Sequence, residues 1–228
     1  MGKTMYAVAN RAHEKAVAFA EKYGIAKVYD SIDEVFVDEK VDIIYITTPH
    51  NTHYEFMKAA LENGKHILVE KSITLNSREL DEIIFLADEK QLIVAEAMTI
   101  WHMPLYKKLW EIIRNGDLGK VQMITINFGS FKEYNMENRF FNMNLAGGAM
   151  LDIGVYALSI VRSFMDKKPE EIDCGCTADA LQYELTDMEQ AVSRQNADDM
   201  KLAFSKDVMD IMTEIRKDWN MKYPGEDW

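Results

Sequence analysis

The chain has 228 residues, 48% hydrophobic and 28% charged, enough apolar material for one large or two modest soluble domains. Its formal net charge of -12 comes without any basic run, which argues against nucleic acid as a partner, because neutralising phosphates takes clustered Lys and Arg. No run of about 18 apolar residues is present to span a bilayer and no apolar leader opens the chain, so no membrane role and a cytoplasmic location are expected.

From Tyr6 to about Ala95 strand-like and helix-like patterns alternate. "YAVAN" reads as a strand, and "AHEKAVAFAEKYG" as a helix closed by Gly24. "KVY" is a short strand, and "SIDEVFV" opens a helix with a capping box, Ser31 and Glu34. "VDIIYITTP" is a buried strand ended by Pro49, followed by the helix "HYEFMKAALENG" and the strand "KHILVE". Asn76 caps "SRELDEIIFLADEK", and "QLIVAEA" is again a strand. Strands alternating with helices of this length predict βαβ units and a doubly wound parallel sheet over residues 1-96.

Beyond residue 96 the rhythm changes to α+β. "MPLYKKLWEIIRNG" is an amphipathic helix stopped by Gly116, and "KVQMITINFGSF" alternates as a half-exposed antiparallel strand does. "AGGAMLDIGVYALSIVRSFM" is an apolar helix behind a glycine pair, and the stretches "ELTDMEQAV" and "LAFSKDVMDIMTEIRKDW" are helical. Cys174 and Cys176, with no histidine near, read as free thiols rather than metal ligands.

Four places carry chemistry. Asn10 and Arg11 end the first strand, where a doubly wound fold meets the adenosine ribose; Arg there suits a 2′-phosphate, and an ordinary surface arginine is the alternative. "TTPHNTH" ends a buried strand with Thr48, Pro49, His50 and His53; the two histidines are too few, at the wrong spacing, for a zinc site. Glu70 and Lys71 close another strand. Successive strand residues face opposite ways, so the two would not simply pair with each other. Asp152 and Tyr156 lie four apart on an apolar helix and share a face, with Gly154 between them leaving room for a close approach.

These sites occur in the same order in the Gfo/Idh/MocA oxidoreductases, and the chain resembles that family over Tyr6 to Phe164 and again from Tyr183 on. It is most similar to the branch of dihydrodiol and D-xylose dehydrogenases. Thr48-Pro49-His50-Asn51-Thr52-His53 matches the T-P-x-x-x-H motif, and Glu70-Lys71-Ser72 the Glu-Lys-Pro motif. "NRFFNMNLAGGAMLDIGVYAL" resembles the segment that places Asp152 and Tyr156 in the active site. The resemblance implies NADP or NAD as cofactor, with Arg11 favouring NADP, and a sugar- or diol-like substrate. Asn10, Arg11, Thr48, Pro49, His50, His53, Glu70 and Lys71 would face the cofactor. Lys71, Asp152 and Tyr156 would be catalytic, Lys71 and Tyr156 handling the proton. Trp101, His102 and Arg139 would face substrate, although Trp101 and His102 depart from the family pattern. A homodimer or larger homo-oligomer is implied.

Two parts of the family pattern are missing from the sequence: the first strand with its G-x-G-x-x-G turn, and most of an antiparallel sheet at a join near 178-180. The domains expected are therefore an N-terminally incomplete nucleotide-binding unit, 1-96, and a substrate and oligomerisation unit, 97-228. Serine in place of the proline after Lys71 makes a cis peptide there unexpected. The competing reading is a catalytically inactive, truncated remnant that binds a ligand or a protein, with an exposed sheet edge as a further interaction surface.

Overall fold

The computed structural model describes residues 5–129, 131–165 and 181–226. Five short strands and nine α-helices are described, and every strand pairing is parallel. Strand β1 (Ala7–Val8) leads into α1 (His13–Tyr23), which ends as expected at Gly24, where φ is 68° and the amide donates to Ala20 O. Strand β2 (Lys27–Val28) pairs with β1, and α2 (Asp33–Val37) follows. The capping box does not form: the residue before α2 is Ile32, in helical conformation, and no side chain caps the helix.

Strands β3 (Ile43–Ile46), β4 (His66–Glu70) and β5 (Val94–Ala97) form a second sheet in the order β3-β4-β5. Helix α3 (His53–Glu62) joins the first two, and α4 (Ser77–Lys90) the last two. Asn76 caps α4 by accepting from Glu79 N at 3.0 Å, while Glu79 accepts from Leu75 N. The expected single sheet is thus divided in two, with no described strand hydrogen-bonded to both the β1–β2 pair and β3.

Alternation along β4 distributes the core. Ile67 and Val69 face the main cluster with Met57, Leu61, Leu80 and Ile83 of α3 and α4, while Leu68 faces the other side with Met188 and Ala191. Those last two residues lie on α8 (Leu181–Arg194), so a helix from the second half covers the sheet face that α3 and α4 leave open. Helix α5 (Thr99–His102), α6 (Pro104–Arg114), α7 (Val155–Ser163) and α9 (Leu202–Asp218) complete the packing, with α9 against α4, α7 and β5. Residues 143 to 163 are apolar and long enough to cross a bilayer by composition, yet half of that stretch is buried inside this core.

The strand expected at "KVQMITINFGSF" is not formed over residues 120 to 129. No backbone hydrogen bond to a neighbouring strand is made there, so the alternating pattern lacks the partner a ladder needs. The segment instead lays Ile126 on the main core and Phe128 edge-on against the Tyr156 ring, 6.2 Å between centroids. Cys174, Cys176 and the join near 178-180 lie outside the described residues.

The end of the chain is fastened by a buried ion pair. The Arg216 side chain is fully buried, and that of Glu226 is 4% exposed. Nη1 and Nη2 donate to the two Glu226 oxygens at 2.8 and 3.0 Å, and Nη2 also donates to Leu75 O at 2.7 Å. Breaking such a pair leaves a buried charge, so Glu226→Ala should lower stability by about 3–5 kcal/mol in urea unfolding. A loss below about 1 kcal/mol would show that the clasp is not closed in solution.

Candidate active site

Lys71 leaves β4 on the side opposite Glu70, whose carboxylate accepts from the Tyr45 hydroxyl at 2.5 Å. The Lys71 ammonium donates to Asp152 Oδ1 at 2.8 Å and also to the Asp152 carbonyl. It lies 5.0 Å from the centre of the Tyr156 ring, within cation–π range. Its side chain is 13% exposed and that of Asp152 21%, so the pair is largely withdrawn from water.

Asp152 sits in a π-helical turn, Met150–Gly154, that runs straight into α7. The expected common face of Asp152 and Tyr156 is what brings both to one ammonium. The close approach expected at Gly154 is found instead at Gly147. A Cβ at Gly147 would lie 2.6 Å from Arg139 O and 2.8 Å from Asn142 N and O, whereas at Gly154 it would meet its own preceding turn at 3.3–3.4 Å. Gly147 thus lets the 138–142 turn fold against the start of the helix.

The turn that carries Lys71 is held on several sides. The Lys71–Ser72 peptide is cis, contrary to the expectation from serine in the proline position. Ser72 Oγ donates to Leu151 O at 3.0 Å, and Ile73 N donates to Glu96 Oε1 at 2.9 Å. Buried His53 spans two loops, with Nδ1 2.9 Å from Ser72 O and Nε2 2.8 Å from Thr48 O. Burial pushes the His53 pKa down against the pull of those carbonyls.

A shallow cleft opens beside this assembly, lined by Pro49, His50, Arg139, Phe140, the 145–148 turn and Asp152. His50 is pushed down to about 4, first by burial and then by His53, Lys71 and Arg139. Arg139, expected on the substrate side, does reach the cleft and stacks its guanidinium on Phe140, 4.5 Å from the ring centre. Asn10 accepts from Ala12 N at 2.9 Å in a tight turn, leaving the neighbouring Arg11 exposed at the start of α1.

Trp101 and His102 are placed differently from the expectation. Both are buried and neither lines the cleft. Trp101 packs edge-on against Phe204, and His102 Nδ1 lies 2.8 Å from Asp187 Oδ2, a carboxylate that Lys107 also reaches. Their reason for being where they are is packing of α5 between α7, α8 and α9.

Glu96 was not singled out from the sequence. The signal was there, since an acid inside the strand "QLIVAEA" must find partners or lose its charge. It is 2% exposed, and Ser205 Oγ donates to its Oε2 at 2.8 Å. Burial pushes its pKa up to about 7 against the pull of Ser205, Ile73 N and Lys71, with the Glu70 charge adding to the rise.

The residues present fit the two ends of a dinucleotide. Thr48, Pro49, His50 and Lys71 gather at the carboxyl ends of β3 and β4, where open parallel sheets bind ligands, and Arg11 stands exposed at the end of β1. The sequence holds no G-x-G-x-x-G turn for the pyrophosphate.

Comparison with known proteins agrees in outline. The model described as an oxidoreductase family with an NAD-binding Rossmann fold matches residues 2–98, and the GFO/IDH/MocA C-terminal domain matches residues 106–201. Trans-1,2-dihydrobenzene-1,2-diol dehydrogenase of Xenopus tropicalis is 33% identical over 167 residues, 73% of this chain and 50% of that protein. NADP(+)-dependent D-xylose 1-dehydrogenase of Hypocrea jecorina is 36% identical over 155 residues, 64% of this chain and 40% of that one. Among solved structures, the aldose-aldose oxidoreductase from Caulobacter crescentus, complexed with glycerol, aligns with a TM-score of 0.66 at 25% identity, covering 72% of this chain and 50% of that one. The chain spans about half the length of the curated relatives it matches.

His50 and Glu96 pull stability in opposite directions with pH. A histidine kept neutral down to about 4, against 6.5 when unfolded, costs stability as pH falls from 6.5 to 4. An acid kept protonated up to about 7, against 4.5 unfolded, costs stability as pH rises from 4.5 to 7. Relative to wild type, His50→Gln should therefore gain roughly 3 kcal/mol on acidification across its window, and Glu96→Gln a similar amount as pH rises across its own. Parallel stability curves for the three proteins in denaturant titrations would show that neither group is buried as described.

Proposed function

The chain belongs to the GFO/IDH/MocA oxidoreductase family, and from that premise we propose that it transfers hydride between NADP(H) or NAD(H) and a sugar- or diol-like alcohol or carbonyl. The observation that carries the reading is the meeting of Lys71, Asp152 and Tyr156 beside the cleft, with the ammonium 2.8 Å from Asp152 Oδ1 and 5.0 Å from the Tyr156 ring centre. When bound, the nicotinamide supplies or accepts the hydride at its ring carbon. Lys71 Nζ would hold the proton that the substrate oxygen gains or loses, since a positioned donor within hydrogen-bond reach is what general acid–base catalysis needs. Asp152 keeps that ammonium aimed, and would trade part of its hold for the substrate hydroxyl. Tyr156 presents its ring to the ammonium and would share the same oxygen through its phenol. A phenol of ordinary pKa near ~10 is a poor proton carrier at neutral pH without a cation beside it, and Lys71 is that cation.

Thr48, Pro49 and His50 would border the nicotinamide, and Arg139 the substrate. Arg11 supports NADP over NAD, because a guanidinium pairs with a 2′-phosphate. His53 and Glu70 would act from behind, His53 by joining the loops at Thr48 and Ser72. We take residues 1-96 and 97-228 as two units in chain order, in line with the separate family matches at 2–98 and 106–201, although α8 and α9 pack closely on the first unit's sheet. A cytoplasmic homo-oligomer completes the proposal. One rival reading is a non-catalytic module that holds a sugar or a protein partner.

Titration with NADPH, followed by its fluorescence, separates the two: saturable binding is expected, and none up to millimolar cofactor would leave only the binding module. Lys71→Ala should then lower turnover by roughly 10²–10⁴-fold with cofactor affinity nearly intact. Full turnover in that variant would remove Lys71 from the chemistry.

A further inference from the structure

The segment from Ile73 to Ser77, immediately after Lys71, is splinted along its length by one helix. At one end of α9, Ser205 reaches it through Glu96, which accepts from both the Ser205 hydroxyl and the Ile73 amide. Further along, Thr213 Oγ1 accepts from Ser77 N at 3.3 Å, and Arg216 Nη2 donates to Leu75 O at 2.7 Å. Positions 205, 213 and 216 fall within one face of a 3.6-residue helix, so a single surface makes all three ties. Of these ties, the one at Glu96 lies nearest Lys71 in sequence, two residues away, and it is the only one made by a carboxylate on the central sheet.

We infer that Glu96 is a positioning residue for Lys71: by fixing the Ile73 amide and anchoring to Ser205, it sets where the strand end delivers the ammonium. The sheet supplies the leverage. Glu96 stands opposite Val69 in the β4–β5 register, so its carboxylate is fixed relative to the strand that ends in Lys71. The other charges that act on the carboxylate come from that same strand end, Glu70 raising its pKa and Lys71 lowering it. The role needs an acceptor for the Ile73 amide and does not need a charge. A glutamine can keep both ties, because its amide oxygen accepts from Ile73 N while the Ser205 hydroxyl reverses to accept from its amide nitrogen. An alanine leaves a buried N–H without a partner.

This inference rests on the reading of Lys71 as the proton-handling group, and it is tested in two ways that fail separately. The first needs no turnover: the rate at which an amine-directed acylating reagent modifies Lys71, read by peptide mass spectrometry on the folded chain. Glu96→Ala should raise that rate by about fivefold or more as the turn loosens, and Glu96→Gln should leave it within about twofold of wild type. Ser205→Ala, which removes one anchor without emptying the site, should fall between them and stands in if Glu96→Ala does not fold. Unchanged labelling in Glu96→Ala, or in Ser205→Ala where only that variant folds, overturns the inference. So does labelling in Glu96→Gln as fast as in the loosened variant. The second test uses turnover. Glu96→Ala should lower kcat by about tenfold or more while the KM for cofactor moves less than about twofold, and Glu96→Gln should recover most of kcat. A loss confined to KM, or no recovery in Glu96→Gln, would contradict the assignment. Absence of turnover in wild type would count against the function proposed for Lys71, while the labelling result would still decide the role of Glu96.

Discussion

An ammonium at the end of a buried strand has to be answered by an acceptor, and in this protein the acceptor comes from 81 residues further along the chain. The Lys71–Asp152 pair joins the parallel sheet of the first half to the π-helical turn of the second. Both side chains are mostly out of water, where an unpaired charge is costly and a paired one is held in a narrow range of positions. Much of the surrounding architecture can be read as the means of bringing those two groups together. Gly147 lets the 138–142 turn close on the helix start, Ser72 bonds to Leu151 O beside the pair, and Tyr156 sits one helical turn beyond Asp152 with its ring toward the cation.

The backbone that carries Lys71 is held as firmly as the side chain. His53 ties it to the loop after β3, Glu96 ties it to β5 and α9, and the bidentate Arg216–Glu226 pair secures the far end of α9 against Leu75. The result is a hydrogen-bonded floor at the carboxyl ends of β3 and β4, bordered by a cleft whose walls come from the loop 49–50 and the turns 139–140 and 145–148. Such fixing suits the proton-handling role proposed for Lys71, since small displacements of a donor are expensive in rate.

The alternation of strands and helices, the ends of α1 and α4, and the pairing of Lys71 with something other than Glu70 were all legible in the sequence, because local periodicity, Gly24, Asn76 and strand alternation determine them. The meeting of Lys71, Asp152 and Tyr156 was legible through spacing and family pattern. What was not legible depended on tertiary partners. The strand expected near Ile124 needed a neighbour to pair with and finds none among the described residues. Trp101 and His102 sat in a segment that elsewhere faces substrate, yet here Phe204 and Asp187 claim them. Ser31 lost its capping role because helix α2 starts later, at Asp33. Glu96 carried a readable sign, an acid in an apolar strand, but its partner lay 109 residues away.

The most direct measurement is a crystal structure of the protein grown with NADPH. The account requires the nicotinamide ring to lie over the loop at Thr48–His50, with Lys71 Nζ within hydrogen-bond reach, roughly 3 Å, of the place a substrate oxygen would occupy beside the ring carbon. A dinucleotide seated elsewhere, or a Lys71 amine turned away from the ring with Tyr156 on its far side, would contradict it.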